Sequence, residues 1–209
     1  MSNLDWLGPE YQRRPSPNKY WSGYKPDMIQ PIEAVIYHYT ASVGTAGTIS
    51  WLCDSTSKAS AHFVIARDGT RYQLVPLTER AWHAGGVSSF MFNNQNVNGR
   101  TIGIEIMNVG PLVQKNGVIY SVAENKEFNG PGASGGGPPK YQYTMWEAYA
   151  DEQIKAVIEL TKILVREFPI LAQDPVTRLI GHEDVDPTRK QDPGPLMPWD
   201  LIRSAAVSI

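Results

Sequence analysis

The sequence predicts a single α/β domain, a central mixed β-sheet flanked by helices, and three observations lead there. At 209 residues the chain is long enough to bury a substantial core. Nothing in it separates two hydrophobic halves, so one domain is expected. Strand-like and helix-like runs alternate along its length, the order produced when helices pack on a sheet. The single cysteine, Cys53, excludes both an internal disulfide framework and a multi-cysteine zinc ribbon. It lies between Leu52 and Asp54 in a helical stretch, where a small buried residue is the expected use.

Residues 1–30 are rich in Pro, Tyr, Trp and charge without a regular period, which predicts an irregular arm laid over a domain spanning 31–209. The arm's aromatics, Trp6, Tyr11, Tyr20, Trp21 and Tyr24, argue against a free tail. Glu33 to Tyr39 reads as a buried strand, and Thr45 to Asp54 as a short helix. Ala61 to Ala66 and Thr70 to Val75 flank Asp68-Gly69, a dipeptide suited to a tight hairpin turn. In the strand Arg100 to Met107, Ile102, Ile104 and Ile106 fall on one face, with Gly103 and Glu105 on the other. Ser121 to Tyr143, dominated by Gly, Pro, Asn and Ser, predicts a surface loop. Ile154, Val157, Ile158, Leu164, Val165 and Phe168 recur at helical spacing, and Pro169 marks the stop. Val176 to Gly181 reads as a short strand, and Pro198 opens a final helix where its missing N–H costs nothing.

A formal charge of -2 and a pI near 6.1 provide no global attraction to nucleic acid or anionic lipid, and neither partner is expected. The first residues lack a basic start followed by a long apolar segment, and no run is long enough to span a bilayer. A soluble monomer without a visible signal is expected, and cytosolic, exported and phage-delivered settings all stay open.

Chemistry concentrates in Gly181 to Gly194, a turn-rich stretch that holds His182, Lys190 and Asp192. His38 ends an upstream apolar run. Together His38, His182 and Asp192 read as ligands for one zinc ion, since two imidazoles and a carboxylate leave a fourth position open and the ion with net positive charge. The run His182-Glu-Asp-Val-Asp186 begins like a helical zinc-protease motif but lacks the second histidine. His83, near Gly85 and Gly86 in an expected loop, reads either as a substrate contact, with Trp82 offering an apolar face, or as loop packing. His62 reads as a structural histidine.

Five ordered motifs carry a resemblance. His38-Tyr-Thr-Ala41, His62-Phe-Val-Ile-Ala-Arg-Asp-Gly69, Ala81-Trp-His-Ala-Gly85, Thr101 through Asn108, and Gly181-His182 through Pro195 together resemble the zinc-dependent N-acetylmuramoyl-L-alanine amidases. The similarity is to the AmpD/AmiD type, related to peptidoglycan-recognition proteins and phage amidase endolysins. It implies that type of fold and sheet order, zinc on His38, His182 and Asp192, and cleavage of the amide between N-acetylmuramic acid and L-alanine in peptidoglycan or muropeptides. It also implies that Glu105 handles the proton of the attacking water and that Lys190 stabilises the oxyanion. Some relatives place a tyrosine just before the His-Phe pair; Ala61 stands there in this chain, which makes Glu105 more necessary. The rival reading is a module that binds peptidoglycan without cutting it. Retention of the three ligand positions with Glu105 and Lys190 favours the enzyme. Polymeric wall and small muropeptides, and recycling, remodelling and phage lysis, all remain open.

Overall fold

A computed structural model describes residues 5–21, 30–85, 88–93, 95–137 and 139–208. Tyr24 and Gly86, singled out in the sequence, lie outside the described residues. The main sheet has six strands in the order Tyr11–Arg13, Arg71–Gln73, Phe63–Ile65, Thr101–Ile106, Ala34–Tyr39 and Leu179–Gly181. The hairpin pair Phe63–Ile65 and Arg71–Gln73 is antiparallel, and every other pairing in this sheet is parallel. Gly69 makes the hairpin turn possible: its φ of 82° is one that a β-carbon opposes.

The alternation in Thr101–Ile106 assigns the two faces of the sheet. Ile102, Ile104 and Ile106 join Val35, Tyr37, Phe63 and Ile65 in one core cluster with Val157, Leu160 and Leu164 of helix Asp151–Glu167 and Ile202 of helix Trp199–Val207. A polar link crosses this core. Thr161 donates its hydroxyl proton to Val157 O at 2.8 Å, so the Tyr37 hydroxyl must be the donor in its 2.8 Å contact with Thr161. The opposite face carries His38 and Glu105, which are cross-strand partners in the parallel register. Helix Thr45–Leu52 lies on that side, and Leu52 packs with Ala61, Val64, Leu74 and Met107.

The structure corrects three expectations. The arm is not irregular throughout: Tyr11–Arg13 adds an edge strand to the main sheet, and Lys19–Tyr20 pairs with Arg80–Ala81. Strands this short show no readable alternation. Residues 121–143 are likewise more than a loop, because Gly132–Ser134 pairs with Met145–Glu147 in a second sheet that includes Pro111–Lys115 and Val118–Ser121. Backbone pairing there needs no side-chain pattern. Finally, Pro175–Arg178 is a helical turn, and the strand begins only at Leu179. Pro175 sits in the first helical turn, where its fixed φ suits the helix.

Glu147 fastens the second sheet to the first. Its buried carboxylate accepts from Arg67 Nε at 2.6 Å, from Arg67 Nη2 at 2.9 Å, and from the Val109 backbone N–H. Among the described residues, no helix is long and apolar enough to cross a membrane.

Candidate active site

The strand register brings the two distant histidines together. Leu179, Ile180 and Gly181 pair in parallel with Val35, Ile36 and Tyr37, so the next residues in the two chains are His182 and His38. At this point Gly181 ends its strand, and His182 opens a short helical turn, His182–Val185. The chain then folds back. Asp186 N–H donates to His182 O at 3.0 Å, Lys190 N–H to Asp186 O at 2.9 Å, and Glu183 N–H to Asp192 O at 2.9 Å. These backbone bonds hold the Asp192 carboxylate against both imidazoles.

The three candidate ligand atoms form a small triangle. His38 Nδ1 lies 3.0 Å from His182 Nδ1 and 2.8 Å from Asp192 Oδ2, and His182 Nδ1 lies 3.0 Å from the same oxygen. All three residues are buried. Burial pulls the His38 imidazole down to about 4, so it is neutral near neutral pH. Burial alone would raise the Asp192 carboxyl, but the adjoining imidazoles of His182 and His38 outweigh it and hold the group well below the ordinary carboxylate range. Protons on neutral imidazoles cannot satisfy three mutual contacts at once. A shared cation can, and a tetrahedral zinc with bonds of about 2.0–2.1 Å places its ligands only slightly farther apart, about 3.3 Å. The donor set and its geometry therefore fit one divalent ion.

Glu105 stands on the strand next to His38, at the floor of a cleft of about 390 Å³ lined also by His83, His182, Lys190 and Asp192. Its Oε2 is buried without a hydrogen-bond partner among the described residues. Burial first, and then the negative Asp192, push this carboxyl up to about 8, while Lys190 opposes the shift. A carboxylate with raised proton affinity and a free oxygen is suited to take and return a proton. Lys190 supplies positive charge on the wall.

Six of the seven residues expected at the site thus meet in one cleft. Trp82 is the one not brought in: its ring lies 5.7 Å from that of Tyr20 on the arm, and it does not line the cleft. His62 is wholly buried, accepting the Gly103 N–H at 3.0 Å and donating to Glu79 O at 3.2 Å. The sequence did not single out Tyr143, Pro111 or Arg189, which complete the cleft walls. Arg189 had a usable signal, its place beside Lys190; Tyr143 was hidden at the end of a stretch without periodicity.

A family model described as N-acetylmuramoyl-L-alanine amidase matches residues 28–195. The 1,6-anhydro-N-acetylmuramyl-L-alanine amidase AmpD of Citrobacter freundii is 30% identical over 147 residues, covering 70% of this chain and 57% of the relative. The N-acetylmuramoyl-L-alanine amidase AmiD of Escherichia coli is 28% identical over 183 residues, covering 84% and 54%. The chain thus spans just over half the length of these relatives. Among solved structures, a selenomethionine derivative of AmpD superposes with a TM-score of 0.66 at 25% identity, covering 98% of both chains. The complex of Escherichia coli AmiD with anhydro-N-acetylmuramic acid-L-Ala-D-γ-Glu-L-Lys follows at a TM-score of 0.60 and 27% identity, covering 84% of this chain and 58% of that one.

Proposed function

The chain belongs to the N-acetylmuramoyl-L-alanine amidase family, and from that premise we propose that it hydrolyses the amide between N-acetylmuramic acid and L-alanine in peptidoglycan or muropeptides, using one zinc ion per chain. The observation that carries the reading is the triangle of His38, His182 and Asp192 beside a carboxylate of raised proton affinity, Glu105. The printed substrate of the AmiD complex and the names of the AmpD relatives support a muramyl peptide, including anhydro forms. All three ligands come from one chain, so a monomer suffices.

When bound, zinc supplies a Lewis acid that polarises the scissile carbonyl and acidifies water. His38, His182 and Asp192 would hold it at the cleft. Glu105 then accepts the proton of the attacking water and delivers it to the leaving nitrogen of L-alanine. Lys190 faces the developing oxyanion and stabilises it by charge, a term that grows where protein walls exclude water. The 31–209 segment carries all of these groups and is assigned as the catalytic domain, with 1–30 as its N-terminal arm.

The test uses purified protein, metal analysis, and mass spectrometry of products from intact sacculi and from isolated anhydro-muropeptides. Glu105→Gln keeps shape and polarity but cannot take the proton; zinc content should stay at the wild-type level while turnover falls by roughly 10²-fold or more. His182→Ala should lose most of its zinc as well as its activity. Wild-type cleavage by Glu105→Gln, or full zinc and activity in His182→Ala, would overturn the assignment.

A further inference from the structure

We infer that His83 is a positioning residue: seated on Gly103 and oriented by Thr101, it fixes the tautomer in which His38 presents Nδ1 to the metal, an inference that rests on the zinc reading above. The argument follows the protons. The Thr101 hydroxyl donates to Val97 O at 2.8 Å, and a carbonyl can only accept, so that hydrogen is spent. The same Oγ1 lies 3.0 Å from His83 Nε2, which must therefore be the donor. His83 is buried, and its two ring partners, the Thr101 hydroxyl and the His38 imidazole, are not anions that would hold a charged ring, so it carries a single N–H. Its Nδ1 is consequently bare and accepts the hydrogen on His38 Nε2, 3.1 Å away. That leaves His38 Nδ1 with a lone pair aimed at Asp192 Oδ2, 2.8 Å away. Two acceptors facing each other at this distance repel unless a cation lies between them.

The seat for His83 is built into the strand. A β-carbon on Gly103 would overlap the His83 ring, so this one missing side chain lets the imidazole pack against the strand, edge to face with His38. Asn98 Oδ1 accepts the backbone N–H groups of His83 and Ala84 at 3.1 and 2.7 Å, holding the other end of the residue. Such outer partners raise ligand basicity and prevent ring rotation. His182 differs: its Nε2 is buried without a partner among the described residues. His38 is thus the imidazole whose orientation the protein specifies. Both nitrogens of His83 are committed in this chain of bonds, which leaves only ring carbon atoms for a substrate contact.

The experiment measures zinc affinity by chelator competition, the visible spectrum of the cobalt-substituted protein, and muropeptide kinetics. It compares wild type, His83→Leu, His83→Asn and Thr101→Val. Leu fills the space without an acceptor, whereas the Asn Oδ1 reaches about the place of the imidazole Nδ1 and still accepts. His83→Leu should lose zinc affinity by roughly 10- to 100-fold and shift the cobalt spectrum, and His83→Asn should recover most of both. Thr101→Val, which takes away the acceptor that orients His83, should weaken zinc several-fold with the fold intact. Wild-type affinity and spectrum in His83→Leu, with only KM raised, would overturn the inference in favour of substrate contact. Should His83→Leu fail to fold, unchanged affinity and spectrum in Thr101→Val would overturn it equally. A wild-type protein that takes up no zinc would sink the zinc reading itself, an outcome distinct from either.

Discussion

Burial is the main influence on the protonation of His62. Enclosure by the core, reinforced by the positive Arg80, pulls its proton affinity down to about 3. The unfolded chain titrates this group near its ordinary 6.5. Between those values the unfolded state holds the extra proton, so stability rises with pH across the window. The contribution is complete above about pH 6.5 and is lost progressively as pH falls toward 3. His62→Gln should therefore flatten the acid limb of a urea-unfolding series between pH 6.5 and 5, by up to ~1.4 kcal/mol per pH unit. Parallel slopes in the two proteins would show that His62 does not titrate in this way. The sequence made His38, His182, Asp192 and Glu105 legible because their side chains announce their chemistry. Thr101 and Gly103 gave no such sign: a hydroxyl and a missing side chain acquire a role only when the register sets them under His83.

Elements with a clear period were readable in advance, and those that depend on backbone pairing were not. Thr101–Ile106 alternates isoleucine with Gly103 and Glu105, and Asp151–Glu167 repeats its apolar positions at helical spacing, so each sorted its own faces. Gly132–Ser134 has neither pattern, yet it joins the second sheet through its main chain. That sheet brings Pro111 to the cleft, and its attachment depends heavily on Glu147. Glu147→Ala would leave the Val109 N–H without its acceptor and the Arg67 guanidinium without its counter-charge, with only the Ser42 and Val43 carbonyls to accept from it. Removing one partner of a buried charged pair typically costs about 3–5 kcal/mol, and because Arg67 is a third exposed, at 32%, the low end is expected. Denaturant midpoints would measure it, and a loss within error of zero would mean that other contacts hold the second sheet in place.

On the scale of the whole molecule, the order of the strands was the least legible feature, since six short runs admit many arrangements and the resemblance alone supplied one. The arm shows why. Tyr11 comes before every other core strand in the sequence but lies at the outer edge of the finished sheet, 2% exposed, its ring 5.7 Å from that of Phe63. Tyr11→Ala should cost about 3–5 kcal/mol by thermal or chemical unfolding, the range for emptying a large aromatic site. A negligible shift would show the arm to be dispensable. The opposite edge carries a consequence in time. His38 and His182 are 144 residues apart, and the Leu179–Gly181 strand is the last in sequence to join the sheet. A ribosome extending the chain by roughly 5–20 residues per second exposes the first histidine for on the order of ten seconds before the second is even synthesised. During that interval the nascent polypeptide has no complete ligand triangle. The growing chain is therefore born without the proposed metal centre, which can assemble only once the segment beyond residue 178 has been made and has joined the sheet.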